Sequence, residues 1–216
     1  MKSYRMAIFV TAVLLATTLL GCSSSEKPAA SAPAPAAAAK PEPKEPALYT
    51  GQEALARMTG LAQRWAPDAQ PVRMESELTE ETTGQAGKST IWRAYFASPS
   101  RGAVKTFVVS GSRLPDAPAF GVTTVGGEVP YTPEMAAVSF QAFLLKTDSD
   151  KAYALAQEHG GENLVKKDPK QPVTYVLEGN PKQHVPLWYV IYGKGANNKG
   201  IGVINGQTGT FLRASK

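Results

Sequence analysis

The sequence carries one cysteine, Cys22, and two histidines, His159 and His184, in 216 residues. A single thiol excludes an internal disulfide, so packing alone must hold any fold together. With so few histidines and no further thiol, a zinc-type site would fall to carboxylates, and none of these stands at a metal-ligand spacing. No metal or other cofactor is expected. Neither histidine has a nucleophile beside it in sequence: His159 closes a helical segment, where a partly charged ring suits the helix end, and His184 lies in a Pro-Lys-Gln-His-Val-Pro loop. Charge of one sign is also scarce, since a formal net charge of +5 is too mild to argue for nucleic-acid binding. The chain therefore reads as a non-enzyme that does not bind nucleic acid. Long apolar runs are missing as well, with one exception.

That exception is N-terminal. Lys2 and Arg5 form a basic start, Met6 to Leu20 is apolar, and Leu19-Leu20-Gly21-Cys22 closes the run with a small residue before cysteine. About 20 apolar residues are needed to span a bilayer, and this run has 15, three of them threonine and three alanine. A retained signal-anchor helix is the alternative; a cleaved export signal over residues 1–21 fits the length better. The string Leu-Leu-Gly-Cys resembles the lipobox of bacterial lipoproteins, and the likeness extends over Met1 to Ser25. The resemblance implies cleavage after Gly21, thioether-linked diacylglycerol on Cys22 and a further acyl chain on the new amino group. Two or three chains anchor far more firmly than one, at about 0.8 kcal/mol per buried methylene. Ser23 after the cysteine resembles lipoproteins sorted to an outer membrane facing the periplasm. In a host with one membrane, the expected place is the extracytoplasmic face of the plasma membrane. Loss of Lys2 and Arg5 leaves 21 basic against 18 acidic residues, a balance of +3.

Residues 22–47 are rich in alanine and proline, including Ala34-Pro35-Ala36 and Pro41-Glu42-Pro43, and read as a lipidated tether. Such composition favours extended polyproline II at about 3.1 Å per residue, standing a folded domain away from the lipid.

Folded structure is expected from Leu48. Thr50-Gly51-Gln52-Glu53 reads as a capping box, and Ala54, Leu55, Met58, Leu61, Ala62 and Trp65 then recur at helical spacing until Pro67. Thr90 to Ala97 and Ala103 to Ser110 read as a hairpin. The same order returns after Thr147-Asp148-Ser149-Asp150, with a helix expected to end at Gly160-Gly161. Strands are expected at Val173–Glu178, Leu187–Tyr192, Ile201–Asn205 and Thr210–Arg213. Thr50 and Thr147 lie 97 residues apart and Trp92 and Trp188 lie 96 apart, as a diverged duplication would place them. Pro133 to Leu145 reads as a linking helix through which the halves share a core. The expected architecture is α+β: a first half over 48–112, a connecting segment over 113–146 and a second half over 147–216.

The second half, with Asp148-Ser149-Asp150-Lys151-Ala152, Gly160-Gly161, Trp188 in a strand and Val203-Ile204-Asn205-Gly206-Gln207-Thr208-Gly209, resembles PepSY-like domains. The first half matches more loosely. The resemblance implies small helix-plus-antiparallel-sheet modules of exported proteins, some of which accompany or restrain peptidases. Asn205 stands where that family's closing strand carries an acidic residue.

Other motifs have ordinary readings. Gly84-Gln85-Ala86-Gly87-Lys88-Ser89-Thr90 ends like a phosphate loop, but Thr82 stands where the first glycine belongs and a strand-forming run follows, so it reads as a hairpin loop. Gly193 to Gly200 reads as a turn between strands. Lys166, Lys167, Lys170, Lys182, Lys194 and Lys199 read as a solvated face interrupted by Glu162 and Asp168. Glu75, Glu77, Glu80 and Glu81 read as a charged solvent loop in preference to a hydrolase carboxylate pair. Trp92, Tyr95, Phe96, Trp188, Tyr189 and Tyr192 alternate along strands, so one set faces the core and the other can form a peptide-binding surface. The expected function is non-catalytic binding of another exported protein. A small-molecule or glycan-binding module is the alternative, and an enzyme with an unrecognised site the second.

Overall fold

The computed structural model describes residues 45–194 and 197–215. The 1–21 signal, Cys22 and the tether up to Lys44 lie outside the described residues. Tyr49–Thr50 form a short strand β1, and Thr50 then caps helix α1, Gly51–Trp65. The capping box is realised in both directions: Thr50 Oγ1 accepts from the Glu53 amide and the Glu53 carboxylate accepts from the Thr50 amide. The chain continues through β2 Gln70–Glu77, β3 Lys88–Ser89, β4 Ile91–Ser98, β5 Ala103–Ser110 and β6 Gly121–Pro130. After α2 Pro133–Ala137, α3 Ser149–Ala156 and α4 Glu162–Lys167, it closes with β7 Val173–Gly179, β8 Pro186–Tyr192, β9 Gly200–Asn205 and β10 Phe211–Ser215.

Eight strands form one antiparallel sheet in the order β10-β9-β8-β7-β2-β4-β5-β6. Each side of the sheet is thus a four-strand meander preceded by a helix, and the first strands of the two meanders, β2 and β7, pair at the centre with Met74 opposite Leu177. Alternate residues of all these strands meet α1 and α3 in a single core, where Trp92 and Trp188 are fully buried edge to face at 6.2 Å. Each indole donates to the carbonyl just before a helix cap: Trp92 Nε1 to Tyr49 at 2.9 Å, ahead of Thr50, and Trp188 Nε1 to Thr147 at 2.8 Å, ahead of Asp148. Gly51 is the residue the two rings require, because a Cβ there would stand 2.3 Å from the Trp188 ring.

The N-termini of α1 and α3 meet at this point. Two like helix-dipole ends repel, and a carboxylate between them offsets that repulsion. Asp148 Oδ1 accepts from the Gln52 amide of α1 at 2.8 Å and the Ser149 amide of α3 at 2.6 Å. Ser149 Oγ accepts from the Gly51 amide at 2.7 Å and donates to the Gly87 carbonyl at 2.6 Å, inside a site with no solvent exposure. The Gly84–Lys88 loop is held against this junction by the buried Tyr175 hydroxyl, which donates to the Gly84 carbonyl and accepts from the Gly87 amide.

Three expectations need correction. Glu75 and Glu77 do not lie in a solvent loop; they belong to β2, where Met74 and Ser76 point into the core while Arg73, Glu75 and Glu77 point away. Met74 is the main apolar residue of that inner row and Pro71 is the strand's second residue, so the period-two pattern is faint. Gly121–Pro130, in the connecting segment where the sequence suggests no strand, is an edge strand; paired with β5 alone, it tolerates Gly126, Gly127 and Pro130, which a central strand would not. The linking helix exists only as α2 and one turn at Ala142–Leu144, since the chain breaks between them to bury Phe140 and bond its amide to the Pro71 carbonyl. The helix after Asp148 ends at Gly160-Gly161 as expected: His159 and Gly160 leave helical geometry, Gly160 with φ +108°, and α4 starts anew across this kink.

Asp68 fastens the β4–β5 hairpin. Its carboxylate accepts from Ser98 Oγ at 2.6 Å and from the Ser100 amide at 2.8 Å, and these bonds hold its pKa below the usual aspartate range. A lowered folded-state pKa gives a contribution that is present above the unfolded value near about 4 and is lost as pH falls through the folded one. Thermal melts between about pH 2 and 7 are expected to show a flatter acid limb for Asp68→Asn than for the parent; parallel acid limbs would contradict this role.

Candidate binding surfaces

Helices α1, α3 and α4 cover one face of the sheet only. On the other face, the segment Tyr131–Val138 covers the corner formed by Val72, Ala97 and Val104. The rest is a broad surface of half-exposed polar and tyrosine side chains set among buried valines, and its residues follow from the strand registers. One row crosses all eight strands through Thr123, Val108, Arg93, Glu75, Val176, Tyr189, Val203 and Arg213. The adjacent row places Tyr95, Arg73, Glu178 and Leu187 side by side.

The centre of this face is polar and electrically balanced. Arg73 reaches Glu178 at 2.8 Å across the β2–β7 junction and Glu75 at 3.3 Å along its own strand, while Arg93 Nε donates to Glu77 at 2.7 Å. Their side chains are a quarter to two-fifths exposed, so each pair contributes little stability and serves to fix the geometry of the surface. Tyr95 and Tyr189 flank the row. Partial burial raises both phenol pKa values, helped by Glu75 at Tyr95 and by Glu178 at Tyr189, so both rings carry a neutral hydroxyl. The alternation expected of the aromatics is observed: Trp92, Phe96, Trp188 and Tyr192 face the core, and Tyr95 and Tyr189 face away.

The remaining candidates do not converge. Cys22 lies outside the described residues. His159 is exposed and stacks on Phe211 at 3.8 Å; His184 is exposed in the β7–β8 loop, 3.4 Å from the Ser139 carbonyl. Among the described residues neither imidazole bonds to a carboxylate or hydroxyl, and no group of three or more His, Cys, Asp or Glu comes together that could hold a metal ion. Gly84 to Thr90 joins strands, with no helix following to bring amides onto a phosphate. The described part of Gly193 to Gly200 joins β8 to β9. In the basic run, Lys166 pairs with Glu162 at 2.8 Å and Lys199 with Asp168 at 3.4 Å. Glu80 is exposed, and Glu81 accepts from the Arg113 amide at 2.7 Å.

Two concave features were not foreseen. A groove of about 610 Å³ lies at one end of the sheet, between Glu77–Glu80 and the Leu114–Pro118 loop, with Ile91 at its floor and Lys194 beside it. A smaller crevice of about 190 Å³ lies on the helical side, between the His159-Gly160 kink and β9. The sequence signal for the second was the pairing of Gly160-Gly161 on the helix with Gly200 and Gly202 on a strand.

Among the described residues no helix is long and apolar enough to cross a membrane. No family model and no curated protein matches the chain. Among solved structures it is similar to the crystal structure of a candidate lipoprotein from Clostridium difficile 630, at 10% sequence identity and a TM-score of 0.50, over 75% of this chain and 91% of that one. What the two proteins share is the fold, a mixed α+β arrangement with helices packed against an antiparallel sheet.

Proposed function

We propose that the chain is a lipoprotein of the bacterial cell envelope, anchored through acylated Cys22, whose folded part is a non-catalytic binding domain for another exported protein, such as a peptidase or assembly factor. The lipobox-like Leu19 to Cys22 supports the anchor, and the name given to the structural relative is in keeping with it. A duplication of PepSY-like halves accounts for the helix-then-meander order occurring twice, for the antiparallel β2–β7 junction and for the matching bonds of Trp92 and Trp188.

The observation that carries the binding reading is the sheet face opposite α1, α3 and α4, beyond the corner that Tyr131–Val138 covers. Eight strands at about 4.8 Å spacing make it about 34 Å wide, and six-residue strands make it about 20 Å long. That area is of the order of the 800 Å² or so that a standard interface takes from each partner. Its chemistry selects the occupant. Balanced Arg–Glu pairs disfavour a polyanion, while two flanking tyrosines and the half-exposed Ile191 and Ile201 suit a protein surface of mixed polarity, where aromatic residues supply most of the binding energy.

Photo-crosslinking tests this directly. With p-benzoylphenylalanine placed at Tyr95 or Tyr189 in cells, both positions are expected to capture the same exported protein, in clear excess over Gln63 on the exposed side of α1. Equal capture from all three positions, or capture of abundant lipoproteins alone, would contradict the proposal.

A further inference from the structure

The two meanders can be compared rung by rung, starting from their tryptophans. On β5, Val109 is opposite Trp92 and Phe107 is opposite Ala94; on β9, Ile204 is opposite Trp188 and Gly202 is opposite Val190. The ring of Phe107, fully buried against Phe96 at 5.4 Å and Trp65 at 6.1 Å, thus has a glycine as its counterpart. Phe96, four residues beyond Trp92, has Tyr192 as its counterpart, four residues beyond Trp188. One half fills the space between helix and sheet with rings. In the other, Ala156 and Phe211 close on Gly202, where a Cβ would stand 3.0 Å from that of Ala156, and a crevice of about 190 Å³ remains beside this contact, lined by Ala156, Gly161, Leu164, Tyr192, Gly200 and Gly202.

The crevice contains one polar group whose capacity is unspent. Tyr192 is 2% exposed and its hydroxyl oxygen accepts from Gln157 Nε2 at 2.7 Å, yet among the described residues no acceptor takes its proton. A buried hydroxyl proton without an acceptor costs free energy, and a ligand acceptor would remove that cost. The helix wall is interrupted at this place, where α3 and α4 meet across a kink with His159 and Gly160 out of helical geometry. The local ion pairs, Lys199 with Asp168 and Lys166 with Glu162, leave the mouth close to neutral.

We propose that the crevice between the His159-Gly160 kink and β9 binds a small, neutral, largely apolar molecule that presents one acceptor oxygen to the Tyr192 hydroxyl. The rung comparison rests on the duplication proposed above, whereas the cavity and the unspent proton do not. The site is on the helical side of the sheet, so its failure would leave the proposed protein-binding face untouched.

The test uses the full-length protein and a cyclohexanone bearing a diazirine. After irradiation and trypsin digestion, label is expected in the fragments containing Ala156, Tyr192 and Gly202, suppressed by excess cyclohexanone and far less by methylcyclohexane, which lacks the oxygen. Tyr192→Phe is expected to raise the probe concentration for half-labelling about three- to tenfold, the effect of one neutral hydrogen bond. Ala214 is exposed and lies opposite Gly202 on β10, so Ala214→Phe puts a ring over the crevice and is expected to abolish labelling without disturbing the core. Label spread without preference for those fragments, equal suppression by both competitors, or unchanged labelling of both variants would overturn the proposal.

Discussion

Trp188→Ala is expected to lower the stability of the folded domain by about 3–5 kcal/mol, which for a domain of this size shifts the melting temperature by about 6–20 °C. The indole is wholly buried, meets Trp92 at 6.2 Å and packs over Gly51, so its removal opens a cavity where α1, β4 and β8 come together. It also deprives the Thr147 carbonyl of its donor immediately before α3 begins. Trp188→Phe separates the two contributions. A ring remains and the hydrogen bond is lost, so a smaller loss of about 1–2 kcal/mol is expected. Thermal unfolding of both variants checks the ordering. An alanine variant that melts within a degree or two of the parent would mean that the tryptophan pair does not join the two sides of the sheet.

The second large effect is expected at Ser149. Its hydroxyl is the only side chain bonded at once to α1, through the Gly51 amide, and to the Gly84–Lys88 loop, through the Gly87 carbonyl, among the described residues. Ser149→Ala leaves both backbone groups buried without these partners. Each such loss costs about 1–3 kcal/mol, giving an expected destabilisation of about 2–4 kcal/mol from the removal of one oxygen atom. Ser149→Thr keeps the hydroxyl and is expected to recover part of the loss. Chemical denaturation of the three proteins, with unchanged denaturant slope, distinguishes a local defect from a change in the unfolded state. If the alanine variant matched the parent, the meeting of the two helix N-termini would contribute nothing to folding.

Some parts of this architecture are written locally in the chain and some are not. The Thr50–Glu53 capping box, the apolar stripe from Ala54 to Ala62, and the strands around Trp92 and Trp188 all rest on short-range patterns, and each lies within a residue or two of its expected place. What was hidden depends on neighbours distant in sequence. Glu75 and Glu77 look like loop residues until Arg93 and Arg73 are beside them, and Ser76 is an inward-facing strand residue because its hydroxyl accepts from the Tyr175 amide of β7. Glycines 126 and 127 suggest a loop because they remove side chains, and only the position of β6 at the edge of the sheet makes them tolerable. Gly160-Gly161 carries its stop signal locally, and what it hides is that a second helix, α4, starts at once beyond it, where Leu164 packs against the core.

The candidate surfaces were legible to a similar degree. Alternation alone separates Tyr95 and Tyr189 from the inward aromatics, whereas the crevice beside Tyr192 needs β9 set against the helix before its glycines acquire a meaning. The anchor lies at the other extreme. It is read entirely from residues 1–25, and the folded part adds nothing to it.

Mass spectrometry of the protein isolated from its native envelope tests that anchor most directly. The account predicts a chain that begins at Cys22 and carries a diacylglyceryl thioether there. A free Cys22 thiol, or a product that still begins at Met1, would contradict it and remove the membrane from the proposed function.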